Sequence, residues 1–172
     1  MYSDIMNTAE ISSLKLNTLV DYLDTLKARV DLKVLGNLLT ELDVTLEDVK
    51  DFLHFKDTCY QRNTVKSSDW YDLLVICWKP GQTSSIHDHG GSSCGFKILS
   101  GVAWESVFES VRQRENDPKA KKSAERKYPL GTLCLAEDND IHRIENRSES
   151  EDLVTLHIYS PALQMNSYEE AS

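Results

Sequence analysis

His87-Asp88-His89 is the segment of the chain whose residue types point most directly to chemistry. Alternate residues of a strand face one side, so these two imidazoles project together, as two ligands of one metal ion must. A His-x-His pair alone is common in packed cores, so its surroundings carry the argument. Five residues separate Gly81 from His87, four separate His89 from Cys94, and six separate Cys94 from Gly101. A second spaced segment, Gly131, Glu137, Asn139, His142 and Asn146, offers a third imidazole. Three neutral imidazoles leave the charge of a divalent ion uncancelled and some of its positions open. Such a site favours an anionic ligand, a thiolate in particular, whose pKa the metal lowers. The residues do not separate iron from zinc or nickel.

Two further pieces have chemical character. Arg62 stands in Tyr60-Gln61-Arg62-Asn63, and a guanidinium can clamp a carboxylate through two parallel hydrogen bonds. In Leu153–Tyr159, Thr155, His157 and Tyr159 alternate with Leu156 and Ile158. One face of that strand is therefore polar, either lining a site inside a barrel or simply facing water. His54, Cys59, Cys77 and Cys134 lack a partner pattern; His54 is expected on a third helix, and Cys59 and Cys134 as small buried thiols. Trp78 is a candidate wall of the pocket.

The elements that position these residues change character along the chain. Leu16, Leu19, Val20, Leu23, Leu26 and Val30 share one helical face, and Leu32, Leu35, Leu38, Leu39 and Leu42 repeat the pattern. Thr45 and Asp48 resemble a capping box opening a short third helix with Val49, Phe52 and Leu53. From Tyr71 the period shortens. Leu73–Trp78 is a continuous apolar run suited to a buried strand, and Lys79-Pro80-Gly81 ends it as a turn. Strand-like pieces follow at 85–89, 95–99, 102–108, 131–135, 140–145 and 153–159, with no helix between them for a parallel crossover. That succession predicts an all-β barrel or sandwich. The basic stretch 110–127 reads as a solvated hairpin loop.

Composition limits the function classes. The 172 residues carry 19 Lys and Arg against 28 Asp and Glu, a net charge of −9, which argues against nucleic acid or an anionic membrane as partner. With 40% hydrophobic and 27% charged residues the chain is an ordinary folded protein. The opening MYSDIMNTAEISS lacks the basic and apolar regions of a secretory signal, and the four cysteines form no Cys-x-x-Cys pair. A reduced, cytoplasmic setting and a monomer are expected.

Both histidine segments resemble the two signature motifs of the cupin superfamily, small metal-holding β-barrels. The first departs from that pattern with Cys94 where a metal-binding Glu is usual. The second has Glu137 for a turn Pro and Asn139 for a turn Gly, the latter mild because Asn tolerates left-handed backbone. The run SSIHDHGGSSCGFKILSG (84–101), with HRIEN (142–146), LHIYSP (156–161), CWKPG (77–81) and YQRN (60–63), narrows the likeness. Together they resemble the cysteine dioxygenases, non-heme iron thiol dioxygenases, over most of the chain.

The resemblance implies a mainly β fold, a cupin-type jelly-roll barrel with N-terminal α-helices packed on it. It implies one domain over residues 1–172, with a helical segment at 1–60 and the barrel at 71–161. One Fe(II) per chain would be held by His87, His89 and His142. Arg62, with Tyr60, would bind the substrate carboxylate; relatives acting on 3-mercaptopropionate have Gln at that position, so Arg62 points to L-cysteine. His157 would orient the Tyr159 hydroxyl, and a Cys94–Tyr159 thioether would form as a protein-derived cofactor, although many bacterial relatives have Gly in place of the Cys. Ser160-Pro161 would be cis. The implied reaction adds both atoms of O2 to cysteine sulfur, giving cysteine sulfinate for cysteine catabolism and taurine–hypotaurine synthesis. A dioxygenase for 3-mercaptopropionate or another small thiol, and a non-catalytic metal- or thiol-binding cupin, are the alternatives. Animal members run further beyond the Pro161 position, in a segment that helps close the pocket, so one wall of the site is left open by the likeness.

Overall fold

The computed structural model describes residues 11–111, 118–136 and 140–171. Its N-terminal part is helical for the reasons the pattern gives. Helix α1 (Leu14–Asp24) starts where Ser13 Oγ accepts from Leu16 N at 3.2 Å, and α2 (Leu32–Leu42) where Asp31 accepts from Lys33 N and Val34 N. Both caps satisfy amide donors that the first turn leaves unpaired. Thr45 and Asp48 do pair, but the element they open is a single stretch of 3-10 helix (Glu47–Phe52), and His54 lies beyond its end.

Ten strands follow among the described residues: β1 (Gln61–Ser67), β2 (Asp72–Trp78), β3 (Ile86–His87), β4 (Ser93–Ser100), β5 (Ala103–Val111), β6 (Lys119–Tyr128), β7 (Leu133–Ala136), β8 (Ile141–Glu145), β9 (Leu153–Ser160) and β10 (Ser167–Glu170). One sheet has the order β1-β2-β9-β4-β7, and β10-β3-β8-β5-β6 form a closed barrel. This is the expected mainly β, jelly-roll architecture. Strand structure begins at Gln61, ahead of the predicted change of period, and continues past Pro161. The basic stretch is mostly strand rather than loop: β5 and β6 pair from Ala103↔Tyr128 to Val111↔Lys119. Arg112, Arg114, Glu115 and Asp117 of that stretch, like Glu137 and Asn139, lie outside the described residues.

The continuous apolar run of β2 reflects burial on both faces. Leu73, Val75 and Cys77 join Leu16, Leu19, Leu23, Leu35 and Leu39 in a core between helices and sheet. Leu74, Ile76 and Trp78 face the other way, into a core with Phe96, Ile98 and Ile144. β9 obeys the same alternation. Val154, Leu156 and Ile158 pack toward the helices, which leaves Thr155, His157 and Tyr159 to the interior. Every residue of β9 is buried, so its polar row does not face water. Cys59 departs from expectation: it is exposed, in a coil before β1, while Cys134 is half-buried and Cys77 fully buried.

Candidate metal centre

Strand pairing brings the three histidines together. His87 on β3 is the register partner of His142 on β8, and His89 follows two residues after His87 in extended chain beyond the strand's end. Their candidate ligand atoms all lie within 4.8 Å of one another, and the three side chains are buried. Among the described residues no carboxylate or thiolate joins the cluster. Each outer nitrogen of His87 and His142 is occupied. His87 Nδ1 lies 2.9 Å from Ser85 O, and His142 Nδ1 lies 2.7 Å from Glu105 Oε1. The free Nε2 atoms therefore turn inward, the arrangement in which a backbone carbonyl or carboxylate fixes the tautomer of a metal-ligating imidazole.

The donor set fits a divalent metal. His89 Nε2 and His142 Nε2 stand 3.0 Å apart, close to the separation of about 3 Å that two nitrogens bound near 2.1 Å at a right angle would have. Burial and the neighbouring His142 push the His87 pKa down to about 4, and burial with His142 and His87 pushes His89 down to about 3. Both imidazoles are thus neutral at physiological pH, the state in which imidazole ligates. Glu105 is itself buried, which would raise its pKa, yet hydrogen bonds from His142 and Tyr128 hold it low, so it stays a carboxylate.

The polar row of β9 forms the next layer. Trp78 Nε1 donates to Thr155 Oγ1 at 3.2 Å, Thr155 Oγ1 lies 2.9 Å from His157 Nε2, and His157 Nδ1 lies 3.0 Å from the Tyr159 hydroxyl. Neutral imidazole donates at one nitrogen and accepts at the other, so the chain is continuous in either tautomer. Burial holds His157 neutral, its pKa well below the usual value, and burial raises Tyr159 well above its own. Tyr159 meets His89 edge-on with ring centroids 5.2 Å apart. Cys94 is its register partner across β4 and β9, wholly buried, with its thiol pKa raised chiefly by desolvation.

Arg62 on β1 reaches the same space. A small cavity is bordered by Tyr60, Arg62, Trp78, His87, His142, His157 and Tyr159, which joins the predicted carboxylate clamp to the histidine cluster. The Arg62 guanidinium lies 5.8 Å from the Tyr60 ring centroid, and Tyr60 stacks on Trp78 at 4.4 Å. The Ser160-Pro161 bond is cis. Sequence reasoning missed Glu105, Thr155's place in the chain to His157, and the hydrogen bonds that Asp88 makes. No local signal marks Glu105, because Ser106, Glu109 and Ser110 share its strand.

A closed β-barrel that brings three buried imidazoles together, with no acidic ligand among the described residues, is a cupin-type fold carrying a candidate metal site. Solved structures agree on the fold alone. A conserved Klebsiella pneumoniae protein with a double-stranded β-helix domain superposes with a TM-score of 0.55 at 16% identity, covering 70% of this chain and 94% of that one. A cupin 2 domain-containing protein of Halorhodospira halophila gives a TM-score of 0.50 at 11% identity, covering 69% and 75%. The family model described as cysteine dioxygenase type I matches residues 6–171, and the chain belongs to that family. It is 33% identical over 165 residues to cysteine dioxygenase type 1 of Danio rerio, covering 88% of this chain and 78% of the relative. The Rattus norvegicus cysteine dioxygenase type 1 is 31% identical over 146 residues, covering 76% and 72%. No helix among the described residues is long and apolar enough to cross a membrane.

Proposed function

We propose that this chain is an iron-dependent cysteine dioxygenase, adding both atoms of O2 to the sulfur of L-cysteine to give cysteine sulfinate. The observation that carries the reading is the cavity in which a guanidinium, a buried Tyr–His pair and three converging imidazoles meet. His87, His89 and His142 would hold the metal. When bound there, Fe(II) supplies sites at which a thiol ionises and O2 is brought beside it.

Arg62 takes the substrate carboxylate through a charge-assisted pair and so fixes the distance from carboxylate to sulfur. Tyr60 supports the guanidinium on its ring face. Tyr159 keeps its hydroxyl proton, because burial opposes ionisation, and presents that hydroxyl to the reacting atoms. His157, held from behind by Thr155 and Trp78, fixes where the hydroxyl points.

Cys94 and Tyr159 face each other across the strands, which supports a thioether between Cys94 sulfur and the Tyr159 ring. Its formation removes two protons and two electrons from the pair, with O2 as the electron acceptor. We assign the chain to the cytoplasm, in cysteine catabolism and the supply of hypotaurine and taurine.

Turnover of cysteine and of 3-mercaptopropionate by wild type and Arg62→Gln tests the substrate assignment. Wild type is expected to prefer cysteine, and Arg62→Gln to lose that preference by roughly two orders of magnitude in kcat/KM. Cysteine use unchanged by the substitution would contradict it.

A further inference from the structure

The segment 164–168 runs alongside β3 and the His87–His89 stretch, and Asp88 fastens it there. Asp88 Oδ1 accepts from Asn166 Nδ2 at 3.0 Å and Asn166 N at 3.3 Å, and its Oδ2 accepts from the Tyr168 hydroxyl at 2.6 Å. Asp88 N donates to Asn166 O at 3.1 Å, and Ser167 is the register partner of His87. The approach is close. A Cβ built at Gly90, which has φ 55°, would stand 2.0 Å from Gln164 O, so only glycine fits beneath the segment.

This fastening delivers Met165 to Arg62. Arg62 Nη2 donates to Met165 Sδ at 2.7 Å, while Arg62 Nε is buried with no hydrogen-bond partner among the described residues. A thioether is a weak acceptor on a flexible stem. A carboxylate makes a far stronger, charge-assisted bond to guanidinium, so it displaces the sulfur without leaving a charge unpaired.

Building on the proposed activity, we infer that Met165 is a specificity-determining residue. It walls the carboxylate end of the site and limits the substrate to thiols whose carboxylate lies a short chain away from sulfur. The Asp88–Asn166–Tyr168 fastening keeps that wall in place.

The test compares cysteine with homocysteine, one methylene longer, in the iron-loaded full chain. Met165→Ala is expected to raise the homocysteine-to-cysteine ratio of kcat/KM about tenfold, mostly through KM, the range that one methylene commands in a shaped pocket. Met165→Val should shift it less in the same direction, and Met165→Leu should keep it within about threefold of wild type. Anaerobic titration of both thiols into the same proteins should show the same order in dissociation constants without turnover, with circular dichroism verifying the fold. A ratio that Met165→Ala and Met165→Val leave at the wild-type value, in turnover and in binding, would overturn the inference. So would an equal shift in Met165→Leu. A wild type that oxidises neither thiol would defeat the proposed activity itself, and the inference with it.

Discussion

Glu105 Oε1 sits 2.7 Å from His142 Nδ1, with both side chains buried, and its other oxygen accepts from the Tyr128 hydroxyl at 2.7 Å. Arg126 Nη1 stands 3.4 Å from that second oxygen. The carboxylate thereby locks the His142 tautomer and turns its Nε2 toward the other two histidines.

Removing that carboxylate should loosen the centre before it loosens the fold. Glu105→Ala is expected to weaken iron affinity about 10–100-fold, and Glu105→Gln less, since its amide oxygen still accepts from His142. Metal competition titration followed by iron analysis checks this. Equal affinities in all three proteins would show that Glu105 does not position His142.

The cross-strand placement of Cys94 and Tyr159 makes a second prediction. After turnover with cysteine and O2, wild type should run on a denaturing gel as two bands, the faster one cross-linked. Cys94→Ala and Tyr159→Phe/Cys94→Ala should run as one slower band. A single unchanged band for wild type after many turnovers would exclude the thioether.

The helical layer carries its own pH dependence. Burial would raise the Asp48 pKa, but hydrogen bonds from Thr45 N, Ser13 Oγ and Thr45 Oγ1 outweigh it and hold the carboxyl below its ordinary value. A depressed carboxylate pKa adds stability above the unfolded value of about 3.9, and that stability disappears as pH falls through the folded pKa. Asp48→Asn should therefore cost about 1 kcal/mol at neutral pH and progressively less below about pH 4. Urea unfolding of both proteins across that range measures the difference; a gap that stays constant would remove Asp48 as its source.

Where a residue's neighbours are close in sequence, its role was readable. His87 and His89 announce each other by the period of a strand, and the leucines of α1 and α2 by the period of a helix. The apolar run of β2 signalled burial on both faces. β1 (QRNTVKS) and β10 (SYEE) were silent: of β1 only Asn63 and Val65 are buried, one of them polar, and β10 has no fully buried residue. Glu105 reads as one polar residue among many until β5 pairs with β8 and sets it behind His142. Met165 and Arg62 are 103 residues apart, a contact that only the folded chain creates.

The central claim is that this centre transfers both atoms of one O2 molecule to a cysteine sulfur. Protein loaded anaerobically with iron, then given L-cysteine and isotopically labelled O2, tests it most directly through mass spectrometry of the product. Cysteine sulfinate carrying both labelled oxygens, at one O2 consumed per sulfinate formed, is the predicted result. Cystine as the product, sulfinate oxygen drawn from water, or no O2 uptake by fully iron-loaded protein would contradict it.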